Sequence, residues 1–360
     1  MPFQLLDLGP EELDRELGET FAAWGEKPFR VKQVLRNIYQ RGVLEFEAMT
    51  DLSLDLRAKL TERYSLQPIA LAGESASVDG TVKKLWRLND GALVESVAIP
   101  MEKGHSTFCL STQTGCSMRC TFCATGKLGP GRNLSAGEIV AQALMMTGGG
   151  RAGWTAGPGE DNPAAPNLVF MGMGEPFLNY ENLAAALRVL NHNDLMQVGA
   201  RRITVSTVGL PEGILRFSRD FPQMKLAVSL HAAHERLRRQ LMPGAGKVPL
   251  ESLIEACAEA HRITNKRITF EYLVIPGIND HDEDIASLAA LSRRVLCKFN
   301  LIPLNPVPGL PYRAPRHEEL NRFQEALLKA SLCAVTLRKS HGRDIEGACG
   351  QLAAGGLELA

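Results

Sequence analysis

Three of the eight cysteines in this 360-residue chain fall within eight consecutive positions. Cys116, Cys120 and Cys123 have the spacing C-x₃-C-x₂-C, and Phe122 directly precedes the third cysteine. Three thiolates at this spacing suit one face of a compact soft-metal centre such as a four-iron cluster. A structural zinc site would usually need a fourth Cys or His in a second pair, and none follows nearby. Three ligands leave one iron open, and an open iron can chelate the amino and carboxylate groups of a small molecule.

The cysteine motif resembles the signature of the radical S-adenosylmethionine (SAM) superfamily, which has an aromatic residue before its last cysteine. The segment 171–176, Met-Gly-Met-Gly-Glu-Pro, follows a predicted strand and is similar to the Gly-Glu element of that superfamily. The resemblance implies that Gly174 and Glu175 hold the methionine amino group of SAM. A carboxylate is a suitable partner for an ammonium group in a partly dry cleft. The implied cofactors are therefore a [4Fe-4S] cluster and SAM.

Further polar residues end or follow other predicted strands. Hydroxyl and imidazole groups at such positions suit ribose or carboxylate oxygens, and an amide can offer both a donor and an acceptor to an adenine edge. Each residue alone would be ordinary loop chemistry, but all of them fall at the same end of successive strands. We therefore predict one cofactor site that includes Ser206, Ser229, Leu230, His231 and Asn305.

Two more cysteines, Cys109 and Cys349, lie outside the motif. A lone cysteine is most often a buried structural thiol. That interpretation suits Cys349 poorly, because Ala348 and Gly350 flank it and suggest a mobile, closely approached loop. The remaining cysteines lie in helical or strand patterns and are predicted to be core residues: Cys257, Cys297 and Cys333.

The arrangement closely resembles the RlmN family, from the N-terminal helices to Leu352. The resemblance is carried by Cys349 in an Ala-Cys-Gly-Gln-Leu segment and by Glu95 just ahead of an Ala-Ile-Pro strand end. It implies a methyltransferase that acts on carbon 2 of adenosine in 23S rRNA and in tRNA. It also implies that Cys349 carries the methyl group, that Cys109 closes a disulfide with Cys349 to release the product, and that Glu95 accepts a proton.

Composition and charge limit the partners. Hydrophobic residues make up 45% of the chain and charged residues 22%, as in folded soluble proteins. Neither a signal peptide nor a run of roughly 18 apolar residues is visible, so we expect a cytoplasmic protein without a membrane partner. We also expect an electron donor of the flavodoxin or ferredoxin type, as the resemblance implies.

The net charge is zero, but residues 201–247 hold nine basic and three acidic side chains. This stretch suits either a solvated helix surface or a phosphate-binding face. If the substrate is RNA, the N-terminal helices can add a shape-reading surface. The candidate phosphate contacts are Arg201, Arg202, Arg236, Arg238 and Arg239.

The elements that must position these residues form an α/β pattern. The first 60 residues are helical in periodicity, and the turn signals Asp79-Gly80 and Asp90-Gly91 then predict a short antiparallel β-meander. Strand–helix alternation after Pro100 predicts a partial (β/α)₆ TIM-like radical SAM barrel with a small N-terminal helical accessory domain. The six predicted strands are Thr107–Thr112, Asn167–Met171, Arg202–Ser206, Lys225–Leu230, Arg267–Ile275 and Lys298–Pro303.

Four divisions of the chain follow. Residues 1–75 are predicted as an RNA-binding helical domain, 76–104 as a meander linker, 105–340 as the barrel, and 341–360 as the segment with the methyl-carrying cysteine. The Gly- and Pro-rich stretch 148–167 is predicted as an exposed flexible loop.

Three rival interpretations remain open. A Cfr-type relative would methylate carbon 8 of adenosine with the same cysteines. A radical enzyme acting on a small molecule would use Cys109 and Cys349 only structurally. A non-catalytic, zinc-dependent RNA-binding module would hold zinc at the three clustered cysteines.

Overall fold

The computed structural model describes residues 2–101, 105–148, 150 and 165–354. Its centre is a ten-stranded sheet of β3 to β12, in which every strand lies beside its sequence neighbours. Two further short strands, β1 and β2, pair with each other. The strands are β1 (Phe3–Gln4), β2 (Tyr64–Ser65), β3 (Ile69–Ala76), β4 (Val82–Leu88), β5 (Leu93–Pro100), β6 (Ser106–Cys109), β7 (Asn167–Phe170), β8 (Ile203–Thr207), β9 (Lys225–Ser229), β10 (Ile268–Val274), β11 (Cys297–Pro303) and β12 (Ala334–Leu337).

Helices connect and cover these strands. No helix among the described residues is long and apolar enough to cross a membrane. The helices are α1 (Pro10–Ala23), α2 (Phe29–Leu35), α3 (Leu54–Arg63), α4 (Ala124–Leu128), α5 (Ala136–Met146), α6 (Tyr180–Asn191), α7 (Pro211–Asp220), α8 (Glu235–Leu241), α9 (Leu250–Thr264), α10 (Asp282–Ser292) and α11 (His317–Ala330).

Strands β6 to β12 run parallel and form the partial barrel that the sequence predicts. The six predicted strands are present as β6 to β11. A seventh parallel strand, β12, pairs with β11 and was not predicted, because it has four residues of which only Val335 is buried. The carboxyl ends of all seven strands face one rim, where α/β barrels place their functional groups.

The predicted meander is present as β3, β4 and β5, with its turns at Gly80 and Gly91. Both glycines have φ near +84°, at 83° and 85°, a backbone conformation that residues with a Cβ rarely adopt. Strand β5 also pairs with β6, so the meander extends the barrel sheet directly. Most of the predicted 148–167 loop, residues 149 and 151–164, lies outside the described residues.

The N-terminal segment is helical, as the sequence predicts. Helix α1 buries Leu13, Leu17 and Phe21 at a spacing of four residues, which places them on one face. The loop before α1 docks on the barrel, because the backbone N–H of Gly137 donates to Asp7 Oδ1 at 2.9 Å. The segment that precedes α1 therefore packs against α5 beside the barrel.

Gln142 on α5 joins the meander to the barrel. Its amide oxygen accepts hydrogen bonds from the Ser96 hydroxyl at 2.7 Å and from the Ser111 N–H at 2.9 Å. Its amide nitrogen donates to the Ser111 carbonyl at 3.1 Å. Gln142 is fully buried, so these bonds form without competition from water.

Replacing Gln142 with leucine should lower the free energy of unfolding by about 2–4 kcal/mol, because buried groups of Ser96 and Ser111 lose their partners. Urea denaturation measures this change. The matched control is Gln223→Leu at an exposed position, which should change stability by less than about 0.5 kcal/mol. A Gln142→Leu variant as stable as the control would contradict the conclusion that Gln142 joins the meander to the barrel.

Candidate active site

One cavity opens at the carboxyl ends of the parallel strands. Strands β7 to β11 each contribute a residue to its wall, and the cysteine loop closes one side. Ten of the predicted site residues line this cavity together: Cys116, Cys120, Cys123, Gly174, Glu175, Ser206, Ser229, His231, Asn305 and Cys349. The structure thus brings together residues that are up to 233 positions apart in the sequence.

The loop after β6 that carries the three clustered cysteines is shaped by close backbone packing. The N–H of Cys116 donates to the Gly129 carbonyl at 2.7 Å. A Cβ on Gly131 would lie 2.3 Å from the Gly115 nitrogen, so this approach requires glycine. The N–H of Thr121 donates to the Leu241 carbonyl at 2.8 Å, which ties the loop to the end of α8.

The three thiols suit a cluster rather than a hydrophobic core. Burial raises the pKa of Cys116 to about 12, and burial together with the charges of Cys123 and Cys116 raises the pKa of Cys120. Thiolates in such a place require a positive centre to neutralise them. No three His, Cys, Asp or Glu side chains in the described ranges gather tightly enough for a single ion. The three cysteines instead lie along one wall, where they fit the ligand set of a larger cluster.

Gly174 and Glu175 form a rigid turn after β7. Gly174 has φ of +102°, and a Cβ there would lie 2.6 Å from the Gln113 Cβ, so only glycine fits. The Glu175 carboxylate is buried and accepts hydrogen bonds from the Thr207 hydroxyl at 2.7 Å and the Val208 N–H at 2.8 Å. Burial raises the pKa of Glu175, and these hydrogen bonds oppose that shift. A carboxylate held in this way has a fixed direction in the cavity wall.

The residues after β9 present a neutral imidazole. His231 Nδ1 accepts a hydrogen bond from the Leu273 N–H at 3.0 Å, and its ring meets Phe122 edge-on with centroids 5.0 Å apart. Burial lowers the pKa of His231 to about 3, and the Arg238 charge adds to the shift. The Ser206 and Ser229 hydroxyls lie 3.4 Å apart on neighbouring strands. Leu230 is fully buried, and its side chain does not line the cavity.

A second cavity adjoins the first and brings Cys109 and Cys349 to one wall, together with Cys123, Asn305 and Arg338. Burial and the Cys349 charge together raise the pKa of Cys109 to about 12, against the opposing charge of Arg338. All eight cysteines, which lie within the described ranges, are free thiols. The two thiols predicted to react with each other therefore face the same space.

Cys349 is carried by residues 341–354, which we name the C-terminal strap. The strap lies against the cysteine loop, because the Ala124 N–H donates to the Gly350 carbonyl at 2.7 Å. Asn305, predicted to contact adenine, donates from its Nδ2 atom to the Cys349 carbonyl at 3.1 Å and accepts from Arg343 Nε at 2.8 Å. Glu95 lines neither cavity and instead contacts the end of the strap.

Two family models match the chain: the Radical SAM superfamily over residues 110–289 and the Ribosomal RNA large subunit methyltransferase N-terminal domain over residues 4–66. The Dual-specificity RNA methyltransferase RlmN of Anaeromyxobacter sp. (strain Fw109-5) is 46% identical over 97% of this chain and 91% of that protein. The RlmN of Solidesulfovibrio magneticus is 45% identical over 94% of both chains. A solved radical SAM methyltransferase from Sphaerobacter thermophilus superposes with a TM-score of 0.89 at 43% identity, covering 98% of this chain and 100% of that one.

The chain belongs to the RlmN family of radical SAM methyltransferases. The resemblance found in the cysteine motif and the Cys349 segment is confirmed, and so is the partial-barrel fold. Membership in the radical SAM superfamily implies SAM and a [4Fe-4S] cluster as cofactors.

The structure adds three residues that were not predicted for this RlmN-family site. Glu271 lines the first cavity and accepts a hydrogen bond from Asn300 Nδ2 at 2.7 Å. A lone carboxylate in the apolar strand β10 was a signal that could have found it. Arg338 lines both cavities but follows β12, the strand that was missed. Thr207, which holds Glu175, is next to the predicted Ser206.

The prediction that Arg238 contacts RNA phosphate is wrong. Its side chain is only 1% exposed, and its guanidinium donates to the Ala245 carbonyl at 2.9 Å and to the Val208 carbonyl. It therefore joins α8 to the loop after β8. The nearby Arg236 and Arg239 are exposed.

Anaerobically purified protein should be brown, and replacing Cys116, Cys120 and Cys123 together with alanine should remove both the colour and the bound iron. Visible absorbance and iron analysis measure this loss. A Cys333→Ala variant, which changes a half-buried thiol outside both cavities, should keep its iron. Retained iron and colour in the triple variant would disprove the cluster assignment.

Proposed function

We propose that this protein methylates carbon 2 of adenosine in 23S rRNA and in tRNA, with Cys349 as the carrier of the methyl group. The observation that carries the proposal is that Cys349 faces the cluster cysteines and Cys109 at once. The relatives named as dual-specificity RNA methyltransferases support an RNA substrate. The role proposed for each site residue is taken from the family motif that the residue matches.

Carbon 2 of adenine lies between two ring nitrogens and is electron-poor, so it cannot attack a methyl sulfonium directly. When bound, SAM and the [4Fe-4S] cluster supply a transferable methyl group and a radical that removes a hydrogen atom. Cys116, Cys120 and Cys123 would hold the cluster, and Gly174, Glu175, Ser206, Ser229, His231 and Asn305 would surround SAM. Leu230 contributes its backbone, because its side chain is buried.

The thiols of the chain carry out the transfer. Cys349 receives the methyl group and, after loss of a hydrogen atom from it, joins its carbon to carbon 2 of the base. The adduct then holds an unpaired electron, which it must give up to the oxidised cluster as acceptor. Glu95 accepts the proton from carbon 2. Cys109 then attacks the Cys349 sulfur as a thiolate, so that a disulfide forms as the bond between sulfur and the transferred carbon breaks. The electron pair of that bond leaves on the base, where the transferred carbon takes up a proton and becomes the methyl group. The disulfide must be reduced before the next turnover.

RNA binding would use surfaces outside the cavity. The helical segment 1–75 is proposed as an accessory RNA-binding domain, which agrees with the family model matched over residues 4–66. Exposed Arg201, Arg236 and Arg239 can neutralise phosphates. We further propose a cytoplasmic location and reduction of the cluster by a flavodoxin- or ferredoxin-type donor.

Protein produced in cells that assemble iron–sulfur clusters should carry a mass increase of about 14 Da on Cys349, one methyl on a thiol that reacts as thiolate. Peptide mass spectrometry locates the group, and the triple cysteine variant serves as the unmethylated control. A methyl group found on Cys109 instead would reverse the two roles.

A Cys109→Ala variant should load the methyl group and form the bond to adenine but fail to release it, because a second accessible sulfur is needed to attack Cys349. The variant should accumulate as a covalent protein–RNA adduct, seen as a nuclease-sensitive shift on a denaturing gel. Cys333→Ala should give no adduct. Full turnover by Cys109→Ala would show that Cys109 is only a packed core thiol.

A further inference from the structure

The C-terminal strap is fastened to the meander at its first end by side chains of the turn between β3 and β4. The Gly342 N–H donates to Asp79 Oδ2 at 3.1 Å, and the Ser77 hydroxyl donates to Asp344 Oδ1 at 2.5 Å. Hydrogen bonds to its neighbours hold the pKa of Asp79 well below its usual range, so this carboxylate stays charged. The first residues of the strap, Gly342 and Asp344, are therefore held against the turn between β3 and β4.

The other end of the strap is held by Glu95 on β5. The consecutive N–H groups of Ala353 and Ala354 both donate to Glu95 Oε2, at 2.8 Å and 3.0 Å. The other carboxylate oxygen, Oε1, pairs with Lys83 Nζ at 3.1 Å. Glu95 is 3% exposed and lines neither cavity, so both oxygens are directed at protein groups.

Lys83 contacts the strap as well as Glu95. Its ammonium group also donates to the Glu346 carbonyl at 3.4 Å, and its side chain is only 15% exposed. Glu346 and Ala354 have φ of 52° and 49°, left-handed conformations that cost free energy in residues with a Cβ. Such conformations persist only where surrounding contacts outweigh the cost. Here these contacts include the bond from Lys83 to the Glu346 carbonyl and the bond from the Ala354 N–H to Glu95.

We propose that Lys83 and Glu95 are positioning residues that hold the Cys349 strap closed, and that Glu95 can accept a proton only after the strap has lifted from it. The proposal rests on the function proposed above. With the strap closed, Cys349 faces the cluster cysteines and can be methylated, while the Glu95 carboxylate is covered. Deprotonation of carbon 2 belongs to a second, open arrangement.

Protonation of Glu95 keeps the strap open once it has lifted. When the proton moves from carbon 2 to Glu95, the carboxylate becomes neutral, and its ion pair with Lys83 is lost. A neutral carboxyl group is also a weaker acceptor for the Ala353 and Ala354 N–H groups than a carboxylate. The strap then stays open until Glu95 releases the proton to water. Loss of the proton restores the negative charge of Glu95 and with it the clamp, by which we mean the contacts of Lys83 and Glu95 with the strap.

Hydrogen exchange of the full-length protein without RNA tests the clamp directly. In Lys83→Met and in Glu95→Ala, the amides of Ala353 and Ala354 should exchange on the order of tenfold faster or more, since a charge-assisted hydrogen bond is lost. Lys84→Met is the matched control, because Lys84 pairs with Glu74 of β3 and not with Glu95. Exchange at the core strand β9 should be unchanged in all variants, which shows that they fold.

Glu95→Gln imitates the protonated carboxyl group, since an amide oxygen can still accept both N–H groups but the side chain is neutral and cannot act as a base. Because this variant loses the same ion pair as Lys83→Met, its Ala353 and Ala354 amides should also exchange faster than in the wild type, while a methyl group should still be found on Cys349. It should nevertheless yield no methylated RNA.

Unchanged exchange in both Lys83→Met and Glu95→Ala would overturn the clamp, and full turnover by Glu95→Gln would overturn the role of Glu95 as proton acceptor. An active Cys349→Ala variant would instead refute the proposed function, while the exchange result would stand independently.

Discussion

The hydrogen bond from the Ala124 N–H to the Gly350 carbonyl joins the two segments on which the chemistry depends. Ala124 directly follows Cys123, the last cysteine of the C-x₃-C-x₂-C motif, and Gly350 directly follows Cys349. A second bond, from the Thr125 hydroxyl to the Leu352 carbonyl at 2.6 Å, extends the same contact. Because the strap lies on the cysteine loop, the Cys349 thiol lines the same cavity as the three cysteines of the motif. The bond from Asn305 Nδ2 to the Cys349 carbonyl fixes the thiol further.

The parallel sheet supplies the rest of the site by a simple constraint. Each strand from β7 to β11 ends at the same rim, so residues of these strands and of the loops after them line one cavity. The antiparallel strands contribute to the strap instead, since Lys83 on β4 and Glu95 on β5 contact it. Each such hydrogen bond contributes only about 0.5–1.5 kcal/mol, so a few of them can hold a segment that must also move.

The sequence was sufficient to predict the place of the cysteine loop, the Gly-Glu turn and six of the seven parallel barrel strands, because their signals are local. Spacing of cysteines, glycine after a strand and runs of apolar residues do not depend on distant partners. Strand β12 was missed because it lies at the sheet edge and buries one residue. Arg238 was misassigned because nothing in a basic stretch shows which guanidinium turns inward to backbone carbonyls. The contact of Glu95 with Ala353 joins residues 258 positions apart, which no local pattern encodes.

We propose that the shared cavity directs one methyl group through Cys349 to carbon 2 of adenosine. Nucleoside mass spectrometry of 23S rRNA and tRNA incubated with reconstituted protein, SAM and a reductant shows whether this transfer occurs. The wild type should form 2-methyladenosine, and Cys349→Ala should form none. Formation of 8-methyladenosine instead, or of 2-methyladenosine by the Cys349→Ala variant, would contradict it.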